Sequence, residues 1–190
     1  MTTRIILAIC LCLALSACST VIEKTRTTPM DDGHDSRSFG TRIDDEVIET
    51  KAQVNIRKAH EAMEDAHTVV VSYNGIVLLA GQVPNDEMKR LAETTVRELA
   101  GVRTVYSELE IKPATSAGVR TTDSWITAKV KTKMGSQSLS LFAQVKVVTV
   151  SGNVYLMGMV GKDDAELATA IASNVKGAQK VVKLFEYTDE

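Results

Sequence analysis

The stretch Thr68-Val-Val-Val-Ser-Tyr73-Asn74-Gly75-Ile-Val-Leu-Leu-Ala-Gly-Gln-Val83 is two β-rich runs joined by Asn-Gly. Both central residues of a type I′ turn need positive φ, which Asn and Gly tolerate. The spacing therefore predicts a hairpin of Thr68 to Tyr73 with Ile76 to Gly81. The second half of this hairpin occurs twice. Gly75, Val77, Leu79, Gly81 and Val83 match Gly152, Val154, Leu156, Gly158 and Val160 of Gly152-Asn-Val-Tyr-Leu-Met-Gly-Met-Val160. One residue shorter in the second copy, Leu91-Ala92 matches Leu167-Ala168. Gly101 then matches Gly177, and Val105 matches Val181. Nine matches in one order mark an internal repeat.

Outward from the hairpin, each copy shows the same elements. In the first, Ile48, Ala52, Ile56, Ala59 and Met63 recur at helical steps, with Thr41 or Asp44 as the cap. After the hairpin a helix is expected from about Asn85 to Leu99, closed by Gly101 as a C′ glycine. A strand from Val102 to Ile111 follows. In the second copy Asp123 is expected to cap a helix to about Met134, which Gly135 should end. Strands are expected near Val145 to Val150 and Val154 to Met159, then a helix from Asp163 to Val175 and a strand from Val181 to Tyr187. The fold class is α+β: two tandem α-β-β-α-β domains. The β-α-β portion should be a right-handed crossover, so each sheet is three-stranded and mixed, with two helices on one face. About 70 residues per copy make a small core, so packing of one copy on the other would help.

The remaining segments set the domain limits. Arg4 and the apolar run Ile5 to Leu15 read as a signal peptide, residues 1–17, too short to span a bilayer. Residues 18–40, rich in Thr, Ser, Asp and Arg after Cys18, read as a tether. The first domain is 41–112. Pro113 to Gly118 is a linker, and the second domain is 119–190. Leu15-Ser16-Ala17-Cys18 resembles the lipobox of bacterial lipoproteins, which implies cleavage before Cys18, its acylation and an anchor of several chains. Ser19 stands where Asp would resemble an inner-membrane retention signal, which favours the outer membrane. Cys10 and Cys12 fall within the signal peptide, so no disulfide and no cysteine metal site is expected. His34, His60 and His67 form no metal-ligand pattern.

The two copies differ in charge. Residues 41–112 carry 9 Lys and Arg against 13 Asp and Glu, net −4; residues 119–190 carry 9 against 7, net +2. No acidic residue lies between Asp123 and Asp163, while Lys129, Lys131, Lys133, Lys146 and Lys162 do. Such asymmetry points to different partners. On the first helix of the second copy, Ile126, Val130 and Met134 are spaced by four and should face the core. Trp125, Lys129 and Lys133 form the adjacent stripe. Trp suits a headgroup boundary, and lysines near an anionic surface contribute roughly 1 kcal/mol each. The opposing reading makes Trp125 a packing residue and the lysines a solvated face. Leu139, Leu141 and Phe142 either extend the apolar edge or fill the core.

The α-β-β-α-β order, the Gly-x-Val-x-Leu-x-Gly strand and the helix-Gly-Val ending resemble the BON domain. Two such domains behind a lipobox resemble the dual-BON outer-membrane lipoproteins, and Thr121-Thr-Asp-Ser-Trp-Ile-Thr-Ala-Lys-Val130 is especially similar to that group. The resemblance implies a periplasm-facing lipoprotein of the outer membrane that binds anionic phospholipid, phosphatidylglycerol or cardiolipin, through the first helix of the second domain. Trp125, Ile126, Lys129, Lys131, Lys133 and Met134 are the expected contact residues. It also implies support of envelope integrity and enrichment at the division site. The alternative is a protein-interaction scaffold or helper of β-barrel assembly, docked through the acidic first copy. Phosphate-loop and nucleophile-elbow motifs are missing, and acid pairs such as Asp86-Glu87 suit helix starts, so neither an enzyme nor a cofactor is expected. The acidic first half and secretory signal disfavour nucleic acid.

Overall fold

The computed structural model describes residues 37–188. The expected signal peptide, Cys18 and most of the tether lie outside the described residues. The elements run α1 (Phe39–Ala59), a 3₁₀ turn (Glu61–Met63), β1 (His67–Tyr73), β2 (Ile76–Val83), α2 (Asp86–Arg97) and β3 (Thr104–Ile111). The second copy gives α3 (Ala117–Gln137), α4 (Leu139–Gln144), β4 (Lys146–Val150), β5 (Asn153–Val160), α5 (Lys162–Ser173) and β6 (Lys180–Tyr187). Two three-stranded sheets result, ordered β1-β2-β3 and β4-β5-β6. In each the hairpin is antiparallel and the last strand joins the middle one in parallel, so the expected mixed sheets are present.

The hairpin turns form as the sequence indicates. Asn74 and Gly75 take φ of 53° and 72°, and Ser151 and Gly152 take 51° and 77°. The repeated strand glycine has a different cause. A Cβ on Gly81 would lie 1.9 Å from the His67 carbonyl oxygen, and one on Gly158 would lie 2.8 Å from that of Gln144. Only glycine lets the neighbouring chain approach this closely.

Helix boundaries depart from expectation. Ser38, not Thr41 or Asp44, caps α1, and Met63 falls in the 3₁₀ turn beyond it. Ser116 caps α3, two turns before Asp123. Gly135 does not end α3, which continues to Gln137. Arg97 is the last residue of α2, so Gly101 sits in the turn beyond rather than at C′. Capping strength alone could not separate these serines from nearby acids, because both types satisfy first-turn amides.

The aspartates have another role. Asp45 and Asp123 are buried within their helices, and each carboxylate reaches the hairpin turn of its own copy. Asp45 accepts hydrogen bonds from the Asn74 N–H (2.8 Å), the Gly75 N–H (3.0 Å) and the Ser72 hydroxyl (2.6 Å), and pairs with Arg37. Asp123 accepts from the Ser151 and Gly152 N–H groups, both at 2.8 Å. Each aspartate pins the first helix across the hairpin. Burial opposes the Asp45 charge, but the bonds from Gly75, Ser72, Asn74 and Arg37 together outweigh it and hold the carboxyl below its ordinary value.

In each copy the helices cover one sheet face, two in the first copy and three in the second. Ile48, Ala52 and Ile56 of α1 and Met88, Ala92 and Val96 of α2 pack on Val70, Val77, Leu79 and Val83. Ile126, Val130 and Met134 of α3, Leu141 of α4 and Ala165, Ala168 and Ile171 of α5 pack on Val147, Val154 and Leu156. The opposite faces meet. Val71, Tyr73, Leu78 and Ala80 form one cluster with Val150, Tyr155, Met157 and Leu184. The layers are helices, sheet, sheet, helices. Burial of Tyr155 in this seam, with Glu108 and Glu110 nearby, pushes its phenol up to about 12.

Polar contacts rim the seam. Tyr73 donates to the Gln144 carbonyl at 2.9 Å and Gln82 to the Ser151 hydroxyl at 2.9 Å. Glu186 accepts from Asn74 at 2.7 Å and pairs with Arg103 at 2.8 Å. Lys146 pairs with Glu49 at 2.6 Å.

The two aspartates generate an unfolding prediction. Asp45→Ala leaves two turn amides and a hydroxyl unsatisfied and should cost about 3 kcal/mol; Asp123→Ala strands two amides and should cost about 2 kcal/mol. The Asp45 carboxyl lies below its ordinary 3.8 when folded, so its contribution is full above that pH and is lost as pH falls through the folded value. Urea midpoints measured from neutral pH to about pH 2.5 should fall on the acid side, and Asp45→Ala should lack this share of the loss.

Candidate functional site

The sequence directs attention to α3, whose inner and outer faces separate cleanly. Ile126, Val130 and Met134 lie on one line and fill the core. Ile126 is 1% and Met134 0% exposed, so both are core residues. This corrects their inclusion among expected lipid contacts: helical periodicity aims them at the sheet, and no surface can reach them. Trp125 has the opposite orientation and is 48% exposed. That excludes both the core role and the interdomain role left open by the sequence.

The lysines divide by direction. Lys129 holds its ammonium 3.8 Å from the Trp125 ring centre, one turn along the helix. This cation–π contact keeps the indole beside the charge on the exposed face. Lys133, a further turn on, donates to the carbonyl of Asn174 at 3.2 Å, beyond the end of α5. A cation at a helix C-terminus is favoured by the dipole and by the unpaired carbonyls there. Lys131 points the other way. Its ammonium donates to the carbonyls of Phe142 (2.7 Å) and Val145 (3.1 Å) and lies 4.4 Å from the Phe142 ring. Its partial burial lowers the ammonium below its ordinary value. Lys146 is bound to Glu49 across the seam. Among the described residues no ion pair is made by Lys129, Lys131 or Lys133.

Of the six expected contact residues, α3 therefore groups Trp125 and Lys129, with Lys133 following. It turns Lys131 toward α4 and buries Ile126 and Met134. The sequence reading left α4 unassigned. Its signal was Ser138, which caps it by accepting from the Leu141 N–H at 3.3 Å. Leu141 fills the core, while Leu139 is 78% and Phe142 43% exposed. Gly135 makes room for this turn: a Cβ there would lie 3.2 Å from the Phe142 ring.

Beside α3 a groove of about 420 Å³ is lined by His67, Arg120, Asp123, Ser124, Thr127 and Thr149. Its polar groups already have partners within the protein. Thr127 donates to Thr149 at 2.7 Å, Arg120 to the Thr115 carbonyl at 2.7 Å and Ser124 to the Arg120 carbonyl at 3.0 Å. Among the described residues no group of three His, Cys, Asp or Glu could hold a metal ion. No helix of the described residues is long and apolar enough to cross a membrane.

The BON domain profile matches residues 44–113 and again 122–189. The outer membrane lipoprotein DolP of Haemophilus influenzae is 40% identical over 155 residues, 82% of this chain and 80% of that protein. The 21 kDa hemolysin of Actinobacillus pleuropneumoniae is 37% identical over 153 residues, 80% of this chain and 79% of that protein. Among solved structures, the C-terminal domain of CdsD, a structural protein of the type III secretion system of Chlamydia trachomatis, aligns at 16% identity and a TM-score of 0.30. That alignment covers 74% of this chain and 65% of the other. The two profile matches fall on the two α-β-β-α-β copies, and the chain belongs to the BON domain family.

Proposed function

We propose that this chain is a non-catalytic lipoprotein of the outer membrane, held by acylated Cys18 and facing the periplasm. Its second domain docks on anionic phospholipid, phosphatidylglycerol or cardiolipin, and through that contact it supports envelope integrity. The observation that carries the reading is the outer face of α3: an exposed indole with a lysine stacked on it, in a run from Ser124 to Lys162 without an acidic residue. The lipobox-like Leu15-Ser16-Ala17-Cys18 and the outer-membrane relative support the location. Enrichment at the division site rests on the family resemblance.

The physics favours a weak, salt-sensitive contact. Two exposed lysines contribute roughly 2 kcal/mol at an anionic surface, and an interfacial Trp adds apolar area. Such affinity is sufficient when the acyl anchor already holds the domain near the bilayer, because tethering raises the effective concentration. The competing scaffold role is favoured by one observation: α1 exposes Asp44 and Glu46 at its N-terminal end, a face that suits a basic protein partner such as a component of the barrel-assembly machinery.

Trp125 is the single tryptophan of the sequence and therefore reports its own environment. In the full lipidated chain reconstituted in vesicles, its emission should shift to the blue with phosphatidylglycerol and not with phosphatidylcholine. The shift should reverse in about 0.5 M salt, where the Debye length falls to a few ångströms. Lys129→Glu exchanges one attraction for one repulsion, about 2 kcal/mol, and should lower docking about 30-fold with little change in melting temperature. Ile126→Ala should behave differently, melting earlier through a core loss of about 2–5 kcal/mol. Unchanged emission on both lipids would leave the scaffold reading standing.

A further inference from the structure

The geometry points to α4 as a membrane-inserting wedge, in which Leu139 and Phe142 enter the boundary between headgroups and acyl chains while Trp125 and Lys129 lie in the headgroups. The inference rests on the lipid-docking reading and specifies the part of the surface that goes deepest.

The first support is the placement of apolar side chains. Helix α4 is Leu-Ser-Leu-Phe-Ala-Gln and carries no charge. Its inward residue, Leu141, is fully buried and fixes the rotation of the whole turn. With Leu141 inward, Leu139 and Phe142 are held outward. At 78% exposure Leu139 is more open to water than any other large apolar side chain among the described residues. Phe142 cannot fold away, because its ring already rests on the bare surface of Gly135.

The second support is the fate of the backbone. A short helix leaves its last carbonyls without partners, and such groups cannot enter an apolar medium unsatisfied. Here the Lys131 ammonium donates to the carbonyls of Phe142 and Val145 at 2.7 and 3.1 Å. At the other end, the Ser138 hydroxyl accepts from the Leu141 N–H. The carbonyls of Phe142 and Gln144 and the Leu141 N–H are thus bonded inside the protein, and Lys131 keeps a positive charge beside the wedge.

The third support selects the occupant. The wedge lies in the stretch from Ser124 to Lys162 that has no acidic side chain to repel lipid phosphate. It is also close to where the tether joins the domain. Arg37 stacks 3.7 Å from the Tyr73 ring centre, and the Tyr73 hydroxyl donates to the carbonyl of Gln144, the last residue of α4. The first described residue therefore lies two side-chain contacts from the last residue of α4. An uncharged apolar edge, positively framed and near where the tether joins the domain, suits an anionic bilayer.

The test uses the full lipidated chain in vesicles of phosphatidylglycerol containing lipids brominated on the acyl chains. Leu139→Cys carries an environment-sensitive dye, Val54→Cys on α1 carries the same dye as a reference, and unlabelled protein reports through Trp125. The expected result is strong quenching and a blue shift at residue 139, shallower quenching at Trp125 and none at residue 54. Leu139→Ser should lower the docked fraction severalfold without lowering the melting temperature, since that side chain is 78% exposed. Quenching at Trp125 with the residue 139 dye still in water would overturn the wedge and leave the lipid reading intact. Quenching at neither would overturn both. Equal quenching at residues 54 and 139 would overturn the wedge as a specific edge.

Discussion

The structure depends on the apolar seam between its two sheets. Two helices can cover only one face of a three-stranded sheet, and here the uncovered faces carry Val71, Tyr73, Leu78 and Ala80 in one copy and Val150, Tyr155, Met157 and Leu184 in the other. Each valine, leucine or methionine among them contributes roughly 1.5–3 kcal/mol when taken out of water. That is a large share of the stability of any domain of this size. Neither copy can leave this face in water, so each serves as the other's missing layer. The seam then dictates what remains outside. All four long helices are driven to the outer surfaces, and a surface for partners can be built only there, on the edges, or on turns such as α4. The rim pairs Arg103–Glu186 and Lys146–Glu49 fix the relative placement, while the burial supplies most of the energy.

Within that constraint the two copies act as internal comparisons. The pinning aspartates align α1 with α3: Asp45 and Asp123 hold the two hairpin turns in the same way. From this anchor, Ile48 corresponds to Ile126, Val47 to Trp125 and Lys51 to Lys129. The buried positions keep their character, and among the exposed ones Lys51 and Lys129 match while others do not. Asp44, Glu46 and Glu49 of α1 stand where α3 has Thr122, Ser124 and Thr127. One scaffold therefore presents two chemically distinct outer helices. Glu49 shows the exchange most directly: it accepts from the Ser72 N–H and from Lys146 of the other copy, whereas Thr127 bonds only Thr149 among the described residues.

Much of this was legible in the sequence, for identifiable reasons. Turn chemistry at Asn74-Gly75 and Ser151-Gly152, period-two strands and a repeated glycine spacing are local signals, and the mixed sheets follow from them. The inward line Ile126, Val130, Met134 was equally legible from helical spacing, which also argued against counting its members as contacts. Other features depend on tertiary contacts that no local pattern carries. Asp123, and Asp44 beside Asp45, look like helix caps from the sequence because a carboxylate before an apolar helical run serves that purpose elsewhere; Asp45 and Asp123 do not serve it here. Their real partners are turn amides 28 to 30 residues away. Gly135 looks like a helix stop, but its missing side chain is used for the close approach of Phe142. The outward turn of Leu139 is set by the burial of Leu141, one helical face away.

The lysines show why counting charge is a poor guide to a binding face. Five lysines fall in the acid-free run, yet four of them already have different roles in the structure. Lys146 is paired with Glu49 across the seam. Lys131 is directed at the carbonyls of Phe142 and Val145, where a neutral donor would serve the same bonds less strongly. Lys133 reaches the Asn174 carbonyl beyond α5 but remains exposed, and Lys129 lies over Trp125. Only these last two combine exposure with the outer face of α3. A surface made this way cannot hold a domain on a bilayer by charge alone, since two lysines supply only roughly 2 kcal/mol and salt screens them. In the proposed docking, specificity then comes from shape: an indole held by a cation, an apolar edge turned outward by a buried leucine, and backbone groups already bonded within the protein. Those are properties of packing, which is why the seam that orients the helices also determines what they can bind.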